Sequence, residues 1–215
     1  MTGIGELYER HVLPRVVEVT CDNRVVEPWR RRALSGLGGR VVEIGFGSGS
    51  NVGLYPEDVT HVHAVEPSDL AWRRAGTRIA ELSRGRGDAT VVDRTGLDGQ
   101  SLPLDDTSCD SALSTFTLCT VPDPAVALAE LRRVLRPGGT LHVLEHGLAP
   151  DPEVVRWQRR VEPIQKHLGG GCHLTRDVVA LAADAGFDVE VVQQAYAGKP
   201  RLFTWLTVAR ATRRD

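Results

Sequence analysis

Short apolar runs recur along this chain, separated by polar stretches in which apolar residues return at helical spacing. The first clear run is Val41-Val42-Glu43-Ile44, led by β-branched residues and too short for a buried helix, the pattern of a buried parallel strand. Similar runs at 61–66, 89–93, 109–115 and 140–145 predict four more strands, and 187–194 and 202–209 predict two further ones. Between them lie predicted helices at 50–54, 69–83, 123–136, 151–168 and from Thr175 to 185. The third carries Leu128, Leu131 and Leu135 on one face, the fourth is expected to break near Pro163, and Thr175 is the expected N-cap of the fifth. Two helices precede the first strand, at 3–23 with a kink at Pro14 and at 27–37 with Pro28 near its start. Strands alternating with helices predict an α/β fold of the Rossmann-like kind: a seven-stranded, mostly parallel sheet with helices on both faces and an N-terminal helical cap.

The first strand runs into Gly45-Phe46-Gly47-Ser48-Gly49, followed by Ser50 and Asn51, both good N-cap types. Strand, glycine turn and helix make a nucleotide-binding corner. Glycine lets the backbone turn sharply and lets a ligand lie against it. A dinucleotide fingerprint reads G-x-G-x-x-G, and Ser50 stands where its third glycine belongs; the Gly-Lys-Ser/Thr ending of a Walker A loop is absent. Glu43 is unexpected in a buried strand unless it has a partner. Glu66 ends the second strand about 20 residues beyond the turn, where a carboxylate can accept from both ribose hydroxyls.

An acidic residue followed by G-x-G-x-G resembles motif I of the class I S-adenosylmethionine-dependent methyltransferases. The run L-R-R-V-L-R-P-G-G-T-L at 131–141 also resembles a segment of that family. The resemblance implies S-adenosyl-L-methionine as cofactor and S-adenosyl-L-homocysteine as product. It implies that Glu43 supports a loop of Gly45, Phe46, Gly47, Gly49 and Asn51 beneath the cofactor, with Glu66 and Pro67 at the ribose. Asp98 and Gly99, before Leu102-Pro103, fall where the family contacts adenine, although an Asp-Gly pair also makes a plain turn. Thr115 and Phe116 end the fourth strand at the edge where ligands lie. The division implied is one domain, with a cap at 1–38, a cofactor-binding half at 40–146 and, at 147–215, acceptor-side helices and the antiparallel hairpin of the last two strands that is typical of this fold.

A narrower resemblance rests on residues 43–56, Thr115-Phe116-Thr117-Leu118-Cys119-Thr120-Val121, Leu144-Glu145-His146 and residues 162–176. These are similar to the alkyl thiol S-methyltransferases of the methyltransferase-like group and their bacterial relatives. Two departures stand out: the animal enzymes carry an apolar membrane-anchoring N-terminus that this chain lacks, and His173 stands where a second cysteine is expected after Cys172. The reaction implied moves a methyl group to a small acceptor, a thiol or sulfide. Other acceptors open at this point are a quinone precursor methylated at carbon and a phospholipid or other amine methylated at nitrogen; a non-catalytic adenosylmethionine-binding module is the alternative outside enzymes. His146 is the first candidate for a base or acceptor-positioning group, with His173 and Glu162 beside the Gly169-Gly170-Gly171 loop.

Composition narrows the partners. The formal net charge is −2 and the densest basic cluster, Arg30-Arg31-Arg32, reads as a solvated helix face, so no nucleic-acid partner is expected. No apolar run approaches the ~18 residues of a membrane span, so no stable membrane insertion is expected. The four cysteines form no C-x-x-C pair, and with no signal peptide they are expected to be reduced thiols in a cytoplasm, with no metal. The oligomeric state is not readable from the sequence.

Overall fold

The computed structural model describes residues 21–214. The helix expected at 3–23, with its kink at Pro14, lies outside the described residues except at its end. Helix α1 (Glu27–Leu34) opens on Pro28 and buries Trp29, Ala33 and Leu34. The chain then alternates through β1 (Gly39–Ile44), β2 (Val59–Val65), α2 (Asp69–Arg86), β3 (Val91–Gly96), β4 (Cys109–Thr115), α3 (Pro124–Val134) and β5 (Leu135–His146). It ends with α4 (Pro152–Leu168), α5 (Val178–Asp184), β6 (Phe187–Tyr196), the single turn α6 (Arg201–Thr204) and β7 (Trp205–Arg213).

One seven-stranded sheet has the order β3-β2-β1-β4-β5-β7-β6. β1 pairs in parallel with β2 and β4, and β4 with β5, while β7 runs antiparallel between β5 and β6. The expected hairpin therefore forms, with its second strand as the inner one. Strand alternation splits the core in two. Val42 and Ile44 pack with Leu128 and Leu131 of α3 and Ala182 of α5, whereas Val41 packs with Ala33 and Leu34 of α1. From β1 the chain winds one way to β2 and β3, then returns to place β4 on β1's other side. Such a reversal leaves a crevice at the carboxyl ends of the strands, where ligands bind in open α/β sheets.

Several local expectations give way to tertiary partners. The helix expected at 50–54 is only a 3-10 turn, Val52–Leu54, because the Asn51 side chain bonds across the sheet instead of capping. Helix α5 is capped by Asp177, which accepts from Val179 and Ala180 N–H, while Thr175 is bound to Glu162. No break occurs at Pro163; α4 runs through it. Pro163 and Arg159 are both exposed, so water can take the carbonyl that the ring leaves unpaired. β5 starts five residues early, at Leu135 paired with Cys109, and the turn 136–139 bulges out before Thr140 pairs with Ser111. β7 starts at Trp205, since Leu202-Phe203-Thr204 belong to α6.

Candidate active site

A cavity of about 1440 Å³ occupies the crevice at the carboxyl ends of β1, β4 and β5. Its floor is the glycine turn. Gly45 has φ 66°, and a Cβ there would overlap Thr117 Oγ1 at 1.9 Å, so only glycine lets β1 and the loop after β4 meet. Gly47 has φ 61°, but a Cβ there would meet nothing closer than the Gly45 carbonyl at 3.9 Å and would project into the cavity. The cavity thus has room at this point that a side chain would fill. Glu66, at the end of β2, is 6% exposed; its Oε2 accepts from Gly47 N–H at 2.7 Å and its Oε1 from Ser68 N–H at 2.7 Å. Each carboxylate oxygen keeps a further lone pair. Burial raises the Glu66 carboxyl above its ordinary pKa, and the two backbone bonds pull the other way.

A buried polar network backs this floor. Asn51 Nδ2 donates to Glu43 Oε1 at 2.9 Å and to Thr115 Oγ1 at 3.0 Å, and its Oδ1 accepts from Arg30 at 2.8 Å. Tyr55 donates to Glu43 Oε2 at 2.5 Å. Arg30 also donates to Thr115 Oγ1 and to the Cys21 carbonyl, and stacks over Phe116 at 5.4 Å. Its Nε is buried with no partner among the described residues, and the side chain borders the cavity. Arg30 is 5% exposed, which corrects the reading of 30–32 as a solvated face; only Arg31 and Arg32 are exposed.

Burial pushes the Glu43 carboxyl up to about 7, against the pull of Tyr55, Asn51 and the more distant Arg30 charge. A folded-state pKa above the unfolded one means that the folded chain holds the extra proton. The stabilisation is full below the unfolded value near ~4.5, fades as pH rises and is gone above about 7, for a total of ~3 kcal/mol. His142, held at about 4 by burial, acts in the opposite sense. Comparison with Glu43→Gln cancels it: urea midpoints from pH 5 to 8 should fall relative to that variant in the unmodified chain. Parallel profiles would mean that Glu43 does not titrate in this window.

The far end of the cavity is built by the β4–α3 loop, the end of β5 and the loop between α4 and α5. Glu145 on β5 is 1% exposed, and its Oε1 accepts from Thr117 N–H at 2.7 Å, Leu118 N–H at 2.9 Å and Ser114 Oγ at 2.9 Å. This bracket holds Phe116 in the left-handed region, at φ 54°, on the cavity wall. Next to it Cys119, His146 and Cys172 line the cavity together. His146 Nε2 lies 3.0 Å from Cys172 Sγ. Cys119 first, then His146, hold the Cys172 thiol below its ordinary pKa, and Cys172 with Glu145 holds the imidazole above its own despite burial.

Of the residues expected at the cofactor, Gly45, Phe46, Gly47, Asn51, Glu66, Pro67, Asp98, Gly99, Thr115 and Phe116 border the cavity. Glu43 lies behind the wall, underpinning Asn51, and Gly49 faces Ala75 of α2, where a Cβ would sit 3.2 Å from it. Asp98 is exposed and closes a turn on Gln100 N–H at 2.8 Å. His146 reaches the cavity, but His173 and Glu162 do not line it; they bond to each other at 3.1 Å, and Glu162 also takes Thr175, tying α4 to the loop that carries Cys172. Arg30, Glu145 and Cys119 were not picked out as site residues in the sequence. Arg30 falls on the apolar face of α1 with Val26, Ala33 and Leu34, and that spacing is the legible sign of its burial. Among the described residues no helix is long and apolar enough to cross a membrane.

Residues 42–143 match the family described as "Methyltransferase domain". Thiol S-methyltransferase TMT1B of Homo sapiens is 33% identical over 196 residues, spanning 86% of this chain and 77% of that protein; of its Rattus norvegicus counterpart the chain spans 66%. Phosphatidylethanolamine N-methyltransferase of Cereibacter sphaeroides is 27% identical over 190 residues, 87% of this chain and 89% of that one. Among solved structures, a SAM-dependent methyltransferase, possible histamine N-methyltransferase, of Thermotoga maritima superposes with a TM-score of 0.63 at 27% identity, over 97% of this chain and 99% of that one.

Proposed function

The chain belongs to the S-adenosylmethionine-dependent methyltransferases, and on that premise we propose that it methylates a small-molecule thiol. Adenosylmethionine, when bound, supplies an electrophilic sulfonium methyl group. The open space above Gly47 and the spare lone pairs of Glu66 fit its ribose end. The Arg30 guanidinium, whose side chain borders the cavity, is a cation suited to its carboxylate. Asp98 and Gly99 border the cavity where an adenine would lie, and Phe116 with Thr115 walls the side nearest the acceptor.

The observation that carries the thiol reading is the composition of the acceptor end: two thiols and an imidazole, all on the cavity wall, in a chain 33% identical to a thiol S-methyltransferase. This chain's residues align the acceptor with the methyl group and exclude water, the main demands of an in-line displacement. His146 and the two cysteines hold the acceptor sulfur. His173 and Glu162 act through the loop they tie down, as positioning residues. A cytoplasmic setting, where such thiols stay reduced, belongs to the same proposal.

The specific competitor is an amine, suggested by the phosphatidylethanolamine N-methyltransferase relative. Labelled-methyl transfer from adenosylmethionine across alkyl thiols, sulfide, phenols, amines and phosphatidylethanolamine vesicles separates the two. Label is expected in the thiols as thioether. Label confined to amines or to the phospholipid would overturn the thiol reading and leave the family standing.

A further inference from the structure

We propose that Cys119, His146 and Cys172 form a three-ligand zinc site whose fourth position opens into the cavity and takes the acceptor thiol as a thiolate. The metal rests on the side-chain cluster alone; only the identity of its fourth ligand rests on the thiol reading above.

The three donor atoms lie within 4.8 Å of one another and come from three separate elements: the β4–α3 loop, the end of β5 and the loop after α4. A tetrahedral zinc with bonds of ~2.3 Å to sulfur and ~2.05 Å to nitrogen needs donor separations of roughly 3.6–3.8 Å. That range lies inside the 4.8 Å limit of the cluster, and His146 Nε2 and Cys172 Sγ, at 3.0 Å, have only to open by about half an ångström. The backbone holding the donors is fixed: the Cys119 carbonyl accepts from His173 N–H at 2.8 Å, and Cys172 N–H donates to the Gly169 carbonyl at 3.2 Å. Both thiols are buried, at 3% and 7% exposed, among Leu174, Val161 and Leu202, so two adjacent sulfurs and an imidazole are turned inward toward a common point. Two thiolates and one imidazole make a borderline-soft donor set that suits zinc, and three protein ligands with an open fourth place are the pattern of catalytic rather than structural zinc. The open place faces the cavity because all three residues line it.

The chemistry closes. An alkyl thiol binding at the fourth position gives its proton to solvent water. Its sulfur then forms the new bond to the donor's methyl carbon, and the old carbon–sulfonium bond breaks with its electron pair staying on the donor sulfur. A thioether, adenosylhomocysteine and one proton leave, and the zinc is unchanged. An amine, hard and protonated at neutral pH, gains little from such a metal, so the site would also select the acceptor.

The other cluster of this kind among the described residues, His61, His63 and Asp93, is a poorer host. His61 is already bonded to Asp93, His63 Nδ1 lies 3.0 Å from Thr95 Oγ1, and the Arg40 guanidinium sits 3.2 Å from His63 Nε2, where it would repel a cation. It offers no sulfur, which lets spectroscopy tell the two apart.

The test uses the full chain, reduced and stripped of metal, with Zn²⁺ and Co²⁺ as probes and neither methyl donor nor acceptor present. About one zinc per chain should bind tightly, and Co²⁺ should give tetrahedral visible bands with a near-ultraviolet thiolate-to-cobalt charge-transfer band. Cys119→Ser and Cys172→Ser, checked for folding by circular dichroism, should each lose the charge-transfer band or weaken it severalfold, while His61→Ala should leave it unchanged. An alkyl thiol should shift the wild-type visible bands by taking the fourth position. Absence of any charge-transfer band in the folded wild-type chain overturns the site. Undiminished thiol methylation by protein assayed as metal-free overturns its role and leaves the thiol reading intact, whereas a bound metal without thiol turnover sinks that reading alone.

Discussion

Gly47→Val is expected to leave a folded chain that has lost at least ~10²-fold in adenosylmethionine affinity, about 2.7 kcal/mol. Two effects point the same way. The residue sits at φ 61°, which costs a side-chain-bearing residue roughly 1–2 kcal/mol and a branched one more. The new Cβ meets no protein atom nearer than 3.9 Å, so the isopropyl group occupies cavity space that the ligand needs. Gly47→Ala separates the two, keeping most of the strain with less of the bulk, and should fall between. Glu66→Ala removes a carboxylate partner and should cost about 1–3 kcal/mol of binding. Calorimetry with adenosylmethionine and adenosylhomocysteine reads all three, and a thermal melt confirms that each variant is folded. Wild-type affinity in both Gly47→Val and Glu66→Ala would remove the glycine turn from the cofactor site.

Glu145→Ala should show the largest loss of stability, at least ~3 kcal/mol, together with loss of methyl transfer. Its carboxylate, 1% exposed, is the shared acceptor for the Thr117 and Leu118 N–H groups and the Ser114 hydroxyl. Truncation leaves three buried backbone donors unpaired, those of Thr117, Leu118 and, at 3.4 Å, Cys119, each costing ~1–3 kcal/mol. It also frees the loop that presents Phe116 and Cys119. Glu145→Gln keeps the shape but brings an amide N–H among donors, so it should rescue only part of the loss. Urea unfolding measures the first effect and labelled-methyl transfer at a temperature where the variant is folded measures the second. A change below ~1 kcal/mol would mean that the loop is held by its own backbone.

What the sequence made legible follows from range. The parallel strands, the glycine turn and the carboxylate ending β2 are written in contiguous residues, and they place the end of the cavity proposed for the cofactor. The end proposed for the acceptor is assembled from Cys119, His146 and Cys172, tens of residues apart, and no local pattern says that they meet. Local rules failed where a side chain had a stronger distant partner. Asn51 and Thr115 are spent on Glu43 and Arg30 rather than on a helix start or a free hydroxyl, and Thr175 is taken by Glu162. Three consecutive arginines look solvated, yet Arg30 shares the apolar face of α1 and is buried. Glu145 was visible only as part of a family-like triplet; its role as a bracket depends on the β4–β5 pairing that sets it beside the loop.

The central claim is that the acceptor end of the cavity is built for sulfur. Its most direct measurement is the ratio of kcat/KM for propanethiol and propylamine, acceptors of one shape that differ in the reacting atom, under saturating adenosylmethionine at pH 7.5. The account predicts a preference for the thiol of at least ~10²-fold, about 2.7 kcal/mol of differential transition-state binding. Equal turnover of the two, or faster turnover of the amine, would contradict it.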